Sequence, residues 1–215
     1  LENPSEPVGE IGEHCQSPYE CPFIAYCWKH VPEYSIFTLP GARWTAKAEY
    51  ISKGLLALDD VSEDALNERQ LKYLKSYRTQ APIIDKSAIK NELNKLEYPL
   101  YFLDFETDGP AIHRFFGMRP FEQFPFQFSC HKLEEKGKLE HFWFLHTDMD
   151  DPRKDIAESL INTLGTHGSI IAYNAPFEIR FIKNLAGWFP DLATDLLAMV
   201  DRFWDQLPIF RNYYI

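Results

Sequence analysis

The sequence predicts an α/β protein: a mixed sheet flanked by helices over residues about 98–215, preceded by a Cys-rich segment and a helical connector. Three observations carry this. Leu100, Tyr101, Phe102, Leu103 and Phe105 make a short apolar run that ends in acids and Gly109-Pro110, the signature of a buried strand entering a turn. Phe124, Phe126 and Phe128 alternate with Pro125 and Gln127, and His141 to Leu145 follow the turn-like Glu135 to Lys138, which reads as two antiparallel strands. Beyond them the period changes: Asp151-Pro152 opens a helix carrying Ile156, Leu160, Ile161 and Leu164, Gly168 to Tyr173 is again an apolar strand, and a second helix holds Phe177, Phe181, Ile182 and Leu185. The order strand, strand, strand, helix, strand, helix is that of a mixed sheet with helical cover.

The earlier elements follow from composition. Residues 1–42 are rich in Pro, Gly and Cys with weak periodicity, and predict irregular structure pinned by something other than an apolar core. Residues 43–97 turn helical. Ala65, Leu66, Leu71 and Leu74 predict one helix, Ile89, Leu93 and Leu96 another, with Pro82 between them and Ser87 as the N-cap of the second. Asp195, Asp201 and Asp205 lie on a helix-like stretch near the end.

Composition excludes several classes. With 22 Lys plus Arg against 32 Asp plus Glu, the formal charge is -10, so a broad electrostatic grip on phosphates is not expected, although a small basic groove is compatible with it. Carboxylates collected around divalent cations would also produce such a surplus. No apolar run reaches the ~18 residues of a membrane span, and no signal peptide is evident, so a cytoplasmic location is expected. No Walker loop, dinucleotide fingerprint or serine-nucleophile elbow is present. The opening Leu1-Glu2-Asn3-Pro4 suggests a fragment of a longer polypeptide.

Two constellations bear chemistry. In Asp104-Phe105-Glu106, alternation along a strand turns both carboxylates to one face with Phe105 opposite; a divalent cation between them, or a solvated strand end, accounts for the pair. In Tyr173-Asn174-Ala175-Pro176-Phe177-Glu178 a second apolar strand passes into a helix with a carboxylate in its first turn. Glu178 either complements the helix dipole or, brought beside the first strand, joins Asp104 and Glu106. Phe115, Phe116, Phe121 and Phe124, grouped around Gly117 and Pro120, either stack on bases or pack the loop, and Arg114, Arg119, Arg180 and Lys183 lie near the acidic motifs in sequence.

Phe102 to Thr107, followed some seventy residues later by Tyr173 to Glu178, resembles the first two motifs of the DEDD exonucleases, a group with a ribonuclease H-like fold. The resemblance covers about residues 98–205 and implies 3'-5' exonuclease-like phosphodiester hydrolysis by two divalent ions, Mg2+ or Mn2+. It makes Asp104, Glu106 and Glu178 the catalytic metal ligands, and Thr107, Asn174 and Phe177 contacts to a single-stranded DNA or RNA end. Glu178 stands where the family usually has Asp. The family's third motif, with a fourth acid and a Tyr or His, is expected beyond Ile215, so residues 1–215 alone are expected to be nearly inactive. Asp201 resembles the structural Asp that follows the second motif. The alternative is a non-catalytic nucleic-acid or protein binding module on the same fold.

Cys15, Cys21 and Cys27 form a C-x5-C-x5-C run, for which a bound metal, free structural thiols and a disulfide are the readings, and Cys130 reads as a small core residue. The run resembles the C-terminal cysteine cluster of RecB-like nucleases. That implies a four-iron four-sulfur cluster, or Zn2+, completed by an upstream cysteine. Together the two resemblances point to an uncharacterised bacterial family that joins a RecB-like module to a DEDD-type domain: 1–42 would be the tail of the upstream nuclease-like module, 43–97 a helical connector and 98–215 the exonuclease-like domain.

Overall fold

The structure is a computed structural model describing residues 9–215, so the first eight residues of the Cys-rich segment lie outside the described residues. The chain divides into two units, one up to Ile83 with Ile215, the other Ile84–Tyr214.

In the first unit, short helices surround a small core of Ile36, Leu39, Leu58, Val61 and Leu74. They are α1 (Ile24–Cys27), α2 (Trp44–Ser52) and α3 (Glu68–Thr79), with 3-10 turns at Glu13–Cys15, Leu58–Asp60 and Glu63–Ala65. The helix predicted through Ala65 and Leu66 starts later. Asn67 Oδ1 accepts the Gln70 N–H and Gln70 Oε1 accepts the Asn67 N–H, a reciprocal cap that fixes the start of α3 and leaves Ala65 and Leu66 in front of it. Gln70 Nε2 also donates to the Pro40 carbonyl, tying that cap to the preceding loop.

The second unit opens with α4 (Lys86–Leu93). Its cap is Asp85 rather than the predicted Ser87: Asp85 Oδ1 accepts the Ala88 N–H at 2.9 Å, and the Ser87 hydroxyl donates to the same oxygen. A carboxylate one residue before the helix reaches the third N–H, whereas a hydroxyl already inside the first turn does not.

The sheet follows as β1 (Leu100–Asp108), β2 (Phe124–Leu133), β3 (Leu139–Leu145), β4 (Ile170–Ala172) and β5 (Phe203–Asp205). Its order is β3-β2-β1-β4-β5, with β2 antiparallel to both neighbours and β4 and β5 parallel to β1. Helices α5 (Arg153–Leu164), α6 (Pro176–Trp188) and α7 (Ala193–Val200) supply the crossovers, and α8 (Leu207–Asn212) follows β5. This is the expected α/β architecture of a mixed sheet flanked by helices. Near the end of the chain the prediction differs, because Asp205 lies on β5 and not on a helix; Phe203 and Trp204 pair with Ile170 and Ile171.

Alternation along β1 decides which residues face the core. Tyr101, Leu103 and Phe105 are buried against Phe128, Cys130, Ile156, Leu160, Phe181, Ile182 and Leu196, with Phe105 edge-on to both Phe128 and Phe181 at 6.5 Å. Cys130 is the core residue the sequence suggested, and burial pushes its thiol up to about 12. The intervening Phe102, Asp104 and Glu106 are exposed on the other face. A slip of one residue would drive both carboxylates into the core, so the apolar positions of β1 hold the acids in place.

Arg202 fastens the entry to β4. Its guanidinium donates to the carbonyls of Leu164, Gly165, His167 and Gly168 and lies 5.7 Å over the Tyr101 ring. Gly168 there has φ +89°, and a Cβ would come 2.2 Å from the Pro99 carbonyl oxygen, so the segment passes β1 only as glycine. Arg202→Ala is expected to lower the unfolding free energy by about 2 kcal/mol, because four carbonyls lose one planar donor, and Arg202→Lys should recover only part of it. Urea titration of the three proteins checks this; equal midpoints for alanine and arginine would remove the role.

Candidate functional site

The site is built where the carboxyl ends of β1, β4 and β5 lie side by side, on the rim of the sheet. In open α/β sheets such ends expose loops and helix N-termini beyond the last paired residues, and ligands bind there. On β1 the pairing is regular as far as Glu106 opposite Gln127, then shifts by one residue before Thr107. That irregularity re-aims the strand end just past the acids. Asp104 lies in a cross-strand row with Ser129 and Trp143, and Glu106 in one with Gln127 and Leu145.

Beyond Ala172 the chain turns sharply into α6. Asn174 takes a left-handed conformation, φ 68°, which Asn tolerates better than most residues, and Pro176 occupies the first turn, where its missing N–H costs nothing. The Asn174 N–H donates to Asp205 Oδ1 at 2.9 Å, and the same oxygen accepts the Leu207 N–H at 3.0 Å. One carboxylate oxygen therefore ties the β4–α6 turn to the β5–α8 turn. The Gln206 N–H adds a second tie by donating to the Ala172 carbonyl at 2.9 Å.

This turn delivers Glu178 into the structure and not to its surface. Glu178 is only 3% exposed, and its Oε2 is buried without a hydrogen-bond partner. Burial pushes its carboxyl up to about 7, against the pull of its own backbone N–H, and the negative charges of Asp104 and Asp205 push it in the same direction as burial. A carboxylate serving only the helix dipole gains nothing from losing its water.

Of the residues singled out in the sequence, the structure brings Asp104 and Glu178 within mutual electrostatic reach and adds Asp205 to them. Glu106 shares the exposed face of β1 with Asp104. Thr107 is half-buried beyond the strand irregularity, and Asn174 forms the turn. Phe177 packs edge-on against Phe181 at 4.9 Å, with the Arg180 guanidinium 5.3 Å from its ring. Asp201, read as the structural acid, is exposed after α7, and the clamping contacts are made by Asp205. The signal for Asp205 was an acid two residues before Leu207-Pro208 at a helix start, the pattern in which an Asp side chain accepts the N–H two residues on. Asp205→Ala is expected to lower the melting temperature and to sharpen hydrogen exchange at Asn174 and Leu207 above that at β1; uniform exchange across the unit would refute the clamp.

In the first unit, Cys15 is buried at the end of its 3-10 turn, and Cys21 and Cys27 are half-buried. The Cys21 N–H donates to the Cys15 carbonyl at 2.9 Å, and all three thiols are free. Among the described residues, no group of three or more His, Cys, Asp or Glu side chains is gathered into a ready-made metal cage, at the cysteines or at the acids. What fits a cation at the sheet rim is narrower: a buried carboxylate oxygen without a hydrogen-bond partner, under the negative charges of Asp104 and Asp205. No helix among the described residues is long and apolar enough to cross a membrane.

No curated protein and no solved structure matches the chain. A family model described as a domain of unknown function, DUF2779, matches residues 101–215, from the second residue of β1 to the end of the sequence. Since that match takes in the whole rim with Asp104, Glu178 and Asp205 and spans more than half of the chain, the protein belongs to the DUF2779 family.

Proposed function

We propose that the sheet unit is the catalytic part of a divalent-metal-dependent nuclease that hydrolyses phosphodiesters at the end of a single-stranded DNA or RNA, on a ribonuclease H-like, DEDD-type fold. The observation that carries this reading is Glu178, a buried carboxylate whose Oε2 has no hydrogen-bond partner and which feels the negative charge of Asp104. Burying a carboxylate beside another negative charge is costly for folding alone, and a cation between them would repay the cost. The position at the carboxyl ends of β1 and β4 adds support, because in the sheet order the chain passes from β1 outward to β2 and from β4 the other way to β5, so the strand order diverges there.

Asp104, Glu106 and Glu178 would hold Mg2+ or Mn2+. Bound ions of this kind lower the pKa of an attacking water and stabilise the leaving oxygen. The rest falls to the chain. Asp104 is exposed on the same face of β1 as Glu106, and its charge reaches Glu178. Asp205 holds the Asn174 turn, and through it the first turn of α6, so that Glu178 meets Asp104. Glu178 has to be ionised to serve as a ligand, so metal binding releases its proton and weakens as the pH falls below about 7.

The test is hydrolysis of labelled single-stranded DNA and RNA with Mg2+, Mn2+ or EDTA, by residues 1–215 and by a polypeptide extended past Ile215. Three acids can hold one ion and leave a second short of ligands, so the extended polypeptide is expected to degrade at least one substrate with metal and the shorter chain little or none. Strand binding by both without hydrolysis would make the unit a binding module.

A further inference from the structure

We propose that the loop between β1 and β2 is a stacking platform for unpaired bases, in which Phe116 and Phe121 take the rings and Arg119 the adjoining phosphates of single-stranded nucleic acid. This deepens the nuclease reading and rests on it for the identity of the strand.

The loop sorts its aromatic residues into two sets. Phe124 is buried and Phe115 lies edge-on against it at 5.1 Å, while Met118 is buried beside them in the chain. Phe116 is 99% exposed and Phe121 72% exposed. The displayed set is not loose. Arg153, itself buried and paired with Asp151, donates from Nη2 to the Phe116 carbonyl at 3.2 Å, so the backbone is held while the ring points outward. The Phe121 N–H donates to the Pro110 carbonyl at 3.0 Å and closes the loop across its base.

Folding gives no return on this arrangement. An exposed Phe contributes little burial energy, and Phe121 also has φ +61°, a conformation that costs a bulky residue about 1–2 kcal/mol. Strain held at an exposed aromatic points to use and not to stability.

Charge selects the occupant. In a chain of net charge -10, this loop presents exposed Arg114 and Arg119. Arg114 is 3.7 Å from Asp108, and the Arg119 guanidinium has no hydrogen-bond or ion-pair partner among the described residues. Of the nearby acids, Glu122 already accepts the Arg119 N–H through Oε2. Exposed rings beside a free guanidinium suit alternating bases and phosphates, since every base has a π-face.

The loop also adjoins the acids. It starts directly after β1, and Arg180, two residues beyond Glu178, donates to Gln123 Oε1 at 3.0 Å where the loop returns to β2. A strand stacked on the platform would thus run toward the rim that holds Asp104.

The experiment measures binding of a fluorescein-labelled single-stranded oligonucleotide to the full chain by anisotropy, in EDTA so that no hydrolysis intervenes. The double substitution Phe116→Ala, Phe121→Ala is expected to weaken binding about tenfold or more with the melting temperature retained. Trp at both positions should keep the affinity and Leu at both should lose it, a contrast that stacking produces and mere apolarity does not. Arg119→Ala should flatten the salt dependence by somewhat less than one ion. Wild-type affinity in the double alanine protein, absence of any binding by the unsubstituted chain, or equal affinity of the Leu and Trp proteins would each overturn the platform. So would loss of binding to phosphatidylserine vesicles with oligonucleotide binding unchanged, which would mark the loop as a membrane contact. The binding assay contains no metal and the hydrolysis assay requires it, so loss of the platform and loss of the nuclease reading register in different assays.

Discussion

Asp104→Ala is expected to lower metal-dependent hydrolysis by about a thousandfold or more, the scale on which losing a preorganised electrostatic partner of a transition state is felt. Asp104 is exposed on the sheet and its charge also reaches the buried Glu178. Glu106 lies on the same face but does not act on Glu178, so Glu106→Ala should cost less, and its loss should be relieved in part by raising the metal concentration. Neither change should unfold the protein, because both side chains are exposed on a strand held by Leu103 and Phe105. Initial rates across a Mn2+ titration, with circular dichroism as the folding control, decide the matter. Full activity in both variants would move catalysis away from this unit and leave it as a binding module.

The parts of this site that could be read from sequence are those that repeat a local pattern. Apolar positions alternate along β1, so the face shared by Asp104 and Glu106 follows from position alone. Asn174 and Pro176 likewise mark a turn into a helix. The partners of Glu178 were harder to foresee. β5 is three residues long, too short to show a period, and it follows the apolar Leu196, Leu197, Met199 and Val200 of α7, so Phe203 and Trp204 read as more helix. With β5 hidden, the resemblance to a structural acid falls on Asp201, and Asp205 is only another acid on the helix-like stretch. Its role comes from two backbone donors, Asn174 and Leu207, one of which is 31 residues away in sequence. The cysteines show the converse limit. Regular spacing identifies Cys15, Cys21 and Cys27 as a set, but it does not determine whether their sulfurs converge, and the described geometry leaves them ungathered.

Glu178→Gln is expected to stabilise the protein at pH 8 and to abolish its hydrolytic activity. In the unfolded chain the carboxyl titrates near its ordinary 4.5, and in the folded protein burial beside Asp104 and Asp205 raises it to about 7. The folded state therefore binds the proton more tightly. Whatever Glu178 contributes is fully present below about pH 4.5 and is lost as the pH rises through about 7, because the folded protein must then hold a desolvated negative charge. The shift corresponds to roughly 3 kcal/mol. Glutamine has nearly the same shape and never carries the charge, so the two proteins should have similar urea midpoints at pH 5, and the variant should be ahead at pH 8. Mn2+ should then raise the stability of the unsubstituted protein at pH 8 and leave the variant unmoved, since a ligand that binds only the folded state stabilises it by mass action. A variant less stable than the parent at pH 8 would mean that Glu178 has a structural partner and that its orphaned oxygen is no mark of a cation. A variant ahead at pH 8 but equally responsive to Mn2+ would separate the two claims: the carboxylate would be strained, and the ion would be held without it.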